Sequence, residues 1–294
     1  MQDTPSHSEE GRIVARGLAA ALVSAPHVYL GMLVAVAVHE FVGHGLVSLF
    51  VGGQFHGVML DFSGMGWADI TTPPTGPFRQ AIVLLGGPAS TTILGFLLFG
   101  TAWPIRRHPH VALPVTILAG HHALEGTSYA FWNAVYISVF NPQPGADIGD
   151  IGRAVEHFPS VHLPVMVLAG VLMVLSIWIL TAMLLWIVES YLYAGRRLHG
   201  ATLLAWAGGV AIMPAGGWFL FDWNLLLPGM GHWPNGVAVV LHAVMGALLI
   251  FKRFRPEPVR CARGAMIASA AAGFGLMALM AALVGLWLRY GVTW

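Results

Sequence analysis

Apolar runs divide the chain into seven stretches long enough to cross a bilayer, near 26–51, 78–102, 111–139, 160–190, 200–221, 235–252 and 264–290. A spanning helix needs roughly 20 mostly apolar residues, and each stretch meets that length. The polar connections alternate in charge. Arg12 and Arg16, then Arg106 and Arg107, Arg196 and Arg197, and the group Lys252, Arg253, Arg255, Arg260 and Arg263 all fall on one side. The opposite connections (52–77, 140–159, 222–234) hold Arg153, with Arg79 at a margin. Positive charge accumulates on the cytoplasmic side of membrane proteins, so this pattern predicts the N-terminus inside and the C-terminus outside. The expected fold is an all-α polytopic membrane protein of about seven transmembrane helices, with a small β-hairpin or sheet after the first core helix.

Composition agrees with that pattern: 57% of the 294 residues are hydrophobic and 9% charged, which fits an integral membrane chain and not a soluble domain. A net charge of +1 argues against nucleic acid as a partner. The single cysteine, Cys261, excludes an internal disulfide and a Cys-rich metal site. The polar start MQDTPSHSEEGR lacks the pattern of a cleaved signal peptide and reads as a disordered tail. Beyond it, the apolar stretch from Gly17 to Val51 is too long for one span and is interrupted by Pro26. Residues 1–25 are therefore expected to form a tail with a short helix, 26–158 a three-helix core, and 159–294 a set of additional helices. Trp103, Trp132, Trp186, Trp223, Trp233 and Trp294 lie near expected span ends, as in an aromatic belt, and Glu189 and His242 are expected to reach the interface.

One segment breaks the helical pattern. Residues 52–74 alternate short apolar runs with glycines and turn formers, which predicts one or two small strands. Non-helical backbone survives at membrane depth only where it is buried in protein or lines a wet cavity. A strand edge there can also pair with an extended peptide.

Candidate chemistry sits immediately before that segment. His39, Glu40 and His44 interrupt an apolar run, and such groups cost several kcal/mol each when unpaired in lipid. A metal ion offsets that cost by accepting both imidazoles as ligands. The histidines, however, are five apart. Five residues rotate by roughly 140° from facing on a regular α-helix, so the two rings would not meet. Two repairs are available. A π-bulge within Glu40 to Gly43 would return both histidines to one face; alternatively Glu40 and His44, four apart, would share a face without His39. A third ligand must come from elsewhere. The segment Asn141-Pro-Gln-Pro-Gly-Ala-Asp147-Ile-Gly-Asp150 stops the third span and turns the chain back, so that Asp147 or Asp150 can supply a carboxylate.

The run His39-Glu40-Phe41-Val42-Gly43-His44-Gly45-Leu46, followed by Leu49 and Gly52-Gly53, resembles the first catalytic helix of site-2-type intramembrane metalloproteases, especially the short M50B-like proteins of bacteria. Gly86-Gly87-Pro88-Ala89-Ser90 is similar to a Gly-Pro element of that family, and Gly145-Ala146-Asp147 falls where the family has a Gly-Ser-Asp segment. The likeness covers roughly Leu30 to Phe158. It implies zinc held by His39, His44 and Asp147, with Glu40 as the base that activates water. It also implies a membrane-protein or peptide substrate, cleavage in or near the bilayer, and residence in a bacterial cytoplasmic membrane.

Other intramembrane polar groups admit more than one role. His121, His122 and Glu125 lie in the third span, and Glu125 follows His121 by four, so both can share a face. They would orient a metal ligand or close a buried network with Tyr129 or Asn133. Two other functions are compatible with the motifs: an inactive protease relative or transporter that binds a membrane protein without cutting it, and a di-iron oxidase using His121-His122 and the five-spaced pair.

Overall fold

The computed structural model describes residues 7–61, 66–71, 76–140, 149–193, 198–200, 202–203, 206–207, 244–249, 259, 262–286 and 292–293. The described chain is mostly helical. Helix α1 (His7–Ala37) runs into a π-helix (Val38–Leu46) and a single turn, α2 (Val47–Phe50). Strands β1 (Gln54–Leu60) and β2 (Gly66–Thr71) follow, then helices α3 (Pro77–Ile105), α4 (Pro109–Phe140) and α5 (Gly149–His157). A 3₁₀ turn at Pro159–Val161 leads into α6 (His162–Leu192); α7 (Arg263–Leu286) and a two-residue strand β3 (Val292–Thr293) complete the elements.

Four segments have the length and apolarity to cross a membrane: Gly11–Phe50, Pro77–Ile105, Pro159–Leu192 and Gly264–Leu286. They correspond to four of the seven expected spans, with shifted ends. The expected span at 111–139 lies within α4, a 32-residue helix whose apolar run is broken by His121, His122 and Glu125. Most of 200–221 and 235–252 lies outside the described residues. Two expectations at the N-terminus are corrected. Helix starts at His7 within the supposed tail, and it continues through Pro26 instead of breaking there. A run this apolar has no water to receive freed carbonyls, so one proline in it is absorbed where a shorter, wetter helix would end.

The chain groups into two compact units. One comprises Met1–Leu30, Leu98–Leu118 and Ile177–Met277. In it the Arg106 guanidinium lies over the rings of Trp103 and Trp186, 4.2 and 4.5 Å from their centres, a cation–π arrangement. Glu189, expected at the interface, is instead 2% exposed, because nearly every residue of α6 from Thr181 to Leu192 is buried. Trp223, Trp233, Trp294 and His242 lie outside the described residues.

The other unit comprises Gly31–Leu97, Ala119–Ser176 and Ala278–Trp294. Its sheet has the order β2-β1-β3, with β1 antiparallel to both neighbours. The β1–β2 pair pairs Gln54 with Thr71 and Leu60 with Gly66, and the register shifts between Phe55 and Gly57. The strands predicted in 52–74 are thus present, and β3 adds a partner from far along the chain. Entry to the sheet is a tight turn: Gly52 takes a positive φ of 89°, and the Gly53 N–H donates to Ser48 O at 2.8 Å. Ser48 Oγ lies within hydrogen-bond reach of Gly45 O at 2.9 Å and of Gln54 O at 3.3 Å, and Phe41 packs edge-on against Phe55, so the π-helix and β1 are tied together.

Helices in this unit touch through glycines. Gly43 lies against the backbone of Gly86 and Gly87, and a side chain at 43 would overlap Gly87 Cα. Gly95 faces the backbone of Ala123, and Gly126 faces the Pro88 carbonyl. Small residues let helix backbones approach closely where lipid supplies no hydrophobic drive for association. We expect Gly43→Ala to destabilise the protein by about 1–3 kcal/mol, as overpacking of a tight contact does. Gly100→Ala, where the added carbon meets open space, should cost nothing. Thermal unfolding of the two variants in detergent checks the contrast, and an equal effect would refute the backbone-contact account.

Candidate metal centre

The π-helix resolves the spacing of the histidines. Its i→i+5 hydrogen bonding stacks residues five apart one above the other, and Val38–Leu46 brings the rings of His39 and His44 to 4.9 Å between centres. The distorted stretch is nine residues long, more than the single bulge that the spacing alone requires. Ser90 Oγ supports its start by donating to Val38 O at 3.4 Å. The alternative repair, Glu40 with His44 and no His39, is not the arrangement found.

Both imidazoles face one carboxylate oxygen. His39 Nε2 and His44 Nε2 each lie 3.2 Å from Asp150 Oδ2, and the potential ligand atoms of the three residues all fall within 4.8 Å of one another. The two histidines are 5% exposed; the Asp150 side chain is 23% exposed. Asp147 lies outside the described residues. Of the two aspartates considered from the sequence, the described site contains Asp150, at the start of α5. Gly149 places it there with a positive φ of 65°, hard against the Tyr129 hydroxyl. The Asp150 N–H donates to that hydroxyl at 3.0 Å, and the hydroxyl donates to Oδ2 at 3.2 Å. Burial pushes the Asp150 carboxyl up, but hydrogen bonds from His39 and His44 in their protonated forms, and the charge of those rings, hold it well below the usual range, so it is a carboxylate.

The outer nitrogens decide what the inner ones can do. His44 Nδ1 lies 2.9 Å from the Val83 carbonyl, an oxygen that can only accept, so Nδ1 carries the hydrogen. His39 Nδ1 lies 2.8 Å from Glu125 Oε1. A neutral imidazole with its hydrogen on Nδ1 presents a lone pair at Nε2. Once both Nε2 protons are lost, the two lone pairs and the Asp150 carboxylate converge as a donor set that a shared cation would satisfy. Ligands bound to one tetrahedral ion at about 2.0–2.1 Å sit roughly 3.3 Å apart, close to the two 3.2 Å separations from Asp150 Oδ2, and all three donors lie within 4.8 Å of one another. Gly87 keeps the space open, since a side chain at that position would overlap Nε2 of both histidines. The donor set and the space therefore fit a small divalent cation.

Glu40 is half-buried beside the cluster, near enough for its charge to act on both histidines and Asp150, and its side chain packs against Gly66 of β2. Of the α4 residues, Glu125 and Tyr129 join the site. His121 is buried against Gly31 with no hydrogen-bond partner for Nε2 among the described residues, and Asn133 donates to Tyr129 O at 2.8 Å within the helix. Two signals in the sequence pointed to the joining pair: Tyr129 follows Glu125 by one helical turn, and both are polar in an apolar run. No second group of three metal-ligating residues gathers among the described residues, so the many-ligand di-iron reading gains no support.

A ligand-competent cluster held by apolar helices defines a membrane protein with a candidate metal centre. Its relationship is now specific: residues 13–124 match the family described as Peptidase M50B-like, as the motif around His39 led us to expect. The match covers well under half of the chain and includes His39, Glu40, His44 and the Gly86-Gly87 pair, but ends before Glu125, Tyr129 and Asp150. No curated protein and no solved structure matches the chain.

If the π-helix exists to absorb one residue, removing a residue from it should be harmless. Val42 is 38% exposed. Deleting it restores a four-residue spacing that an ordinary α-helix places on one face. We expect the deletion variant to retain zinc binding and an alanine inserted after Val42 to abolish it, as read by zinc content of the purified proteins. The reverse order would sink the account.

Proposed function

We propose that this protein is an intramembrane zinc metalloprotease, a hydrolase of peptide bonds in or near the bilayer. The observation that carries the reading is the convergence of His39 Nε2 and His44 Nε2 on Asp150 Oδ2 in a segment long and apolar enough to span a membrane. The match to the M50B-like family supports the same reading. Asp150 is assigned here as the third ligand beside the two histidines.

Zinc held by these residues would polarise the scissile carbonyl and an attacking water. Glu40 then does the proton work. It takes the proton from the attacking water and delivers it to the departing amine, which needs a carboxylate beside the ligands but not among them. Its neighbour Gly66 lies at the end of β2, so the substrate-facing sheet and the base are adjacent. The outer edge of β2 has no strand partner among the described residues, and an extended peptide can pair there. Extension exposes the scissile carbonyl, which a helix would keep in its own hydrogen bonds. The substrate is a membrane protein or peptide, and the orientation in keeping with the basic connections has the N-terminus inside.

The test uses full-length protein in detergent with a fluorogenic peptide library and single-span membrane test proteins. Cleavage should require metal, disappear on chelation and return with zinc. Glu40→Gln should keep its zinc and lose cleavage by roughly 10²–10⁴-fold, the usual contribution of a general acid–base group. A zinc-loaded wild type that cuts none of these substrates would remove the protease reading and leave a metal-binding membrane protein. Loss of zinc in Glu40→Gln would make the carboxylate a ligand and not a base.

A further inference from the structure

The two candidate ligand histidines are held from behind by unlike groups. His44 Nδ1 faces a neutral main-chain carbonyl, Val83 O. His39 Nδ1 faces a carboxylate, Glu125 Oε1, at 2.8 Å, with both side chains 7% exposed. The second Glu125 oxygen, Oε2, is buried without a hydrogen-bond partner among the described residues, and the Nδ1···Oε1 contact is an ion-pair approach in distance without aligned hydrogen-bond geometry. A carboxylate buried with one contact in apolar surroundings is costly. A carbonyl would satisfy His39 as one satisfies His44, so hydrogen bonding alone does not explain an acid at 125.

Charge does explain it. A divalent cation bound by two neutral imidazoles and the Asp150 carboxylate keeps one uncompensated positive charge. The Glu125 carboxylate, acting through the His39 ring, would offset that charge together with Glu40 beside the cluster. Local packing is arranged to allow this. Gly126, next in sequence, lets α4 lie directly on the Pro88 carbonyl of α3, and Gly87 of that same turn abuts both Nε2 atoms. One turn further along α4, Tyr129 fixes Asp150 through its hydroxyl and packs edge-on to His39 at 5.7 Å.

Resting on the metal-site reading above, we propose that Glu125 is a positioning residue: it fixes the Nδ1–H tautomer and ring orientation of His39, and supplies the negative charge that balances the bound ion. Partners of this kind raise ligand basicity, and their loss typically weakens metal binding by about 10–100-fold.

The experiment is a zinc titration of chelator-stripped, full-length protein in detergent against a competing chromophoric chelator, paired with thermal unfolding of the stripped and loaded forms and with cobalt absorption spectra. Glu125→Ala should bind zinc about 10–100-fold more weakly than wild type and shift the cobalt bands. Its stripped form should melt close to stripped wild type while the gain on zinc loading shrinks. Glu125→Gln, which keeps shape and an acceptor but removes the charge, should show a smaller loss of affinity, and it carries the test if the alanine variant does not fold. Wild-type affinity in both variants, or an equal drop in melting temperature with and without zinc, would overturn the proposal in favour of a structural contact, while leaving the metal site itself standing. Failure of wild type to bind zinc would overturn the metal-site reading, and this proposal with it.

Discussion

The whole arrangement depends on one departure from regular geometry, the i→i+5 hydrogen bonding through Val38–Leu46. Without it, His39 and His44 would diverge, and Asp150 would face at most one of them. A π-helix is rare because its hydrogen bonds and packing are poorer than those of an α-helix. Its persistence here requires compensation from outside the helix. Contacts on several sides supply that: the Gly86-Gly87 backbone against Gly43, the Ser90 hydroxyl on the Val38 carbonyl, and the Phe41–Phe55 ring contact with β1. Because an apolar environment offers no water to take up mismatched main-chain groups, the distortion must be matched by protein on every buried side.

From that helix the site grows by addition of short-range supports. Val83 and Glu125 stand behind the histidines, while Tyr129 and Gly149 set Asp150. The candidate ligands come from two distant stretches of chain, and α3 and α4 supply the groups that hold them in place. In this unit α4 resembles a rail with two polar fixtures one turn apart. Its lower apolarity follows from that work, and it explains why a helix of spanning length stands apart from the four candidate spans.

Much of this was legible in the residues. The apolar runs located four long helices, the glycine-punctuated 52–74 located two strands, and the five-residue separation of His39 and His44 pointed to an extra-residue distortion. Those features are local, written in periodicity and spacing. What escaped was relational. A turn-rich segment with two aspartates three residues apart gives no periodic signal to say which one folds back; Asp147 was favoured by likeness alone and lies outside the described residues, while Asp150 faces both histidines. Pro26 was read by its intrinsic preference, which an apolar helix overrides. Pairing of Val292–Thr293 with β1 joins residues over two hundred positions apart, beyond any local pattern. Glu125 and Tyr129 were visible as polar residues, but only the close approach permitted by Gly95 and Gly126 gives them their partners.

The glycine contacts have one more consequence. Where Gly43 meets Gly86 and Gly87, the two helices touch through main chain, with no side-chain rotamers between them to yield. The distance from the histidine-bearing helix to the wall opposite is therefore as stiff as the helices themselves. The placement of the two imidazoles against Gly87 is thus set by main chain and does not depend on a side-chain rotamer at that contact.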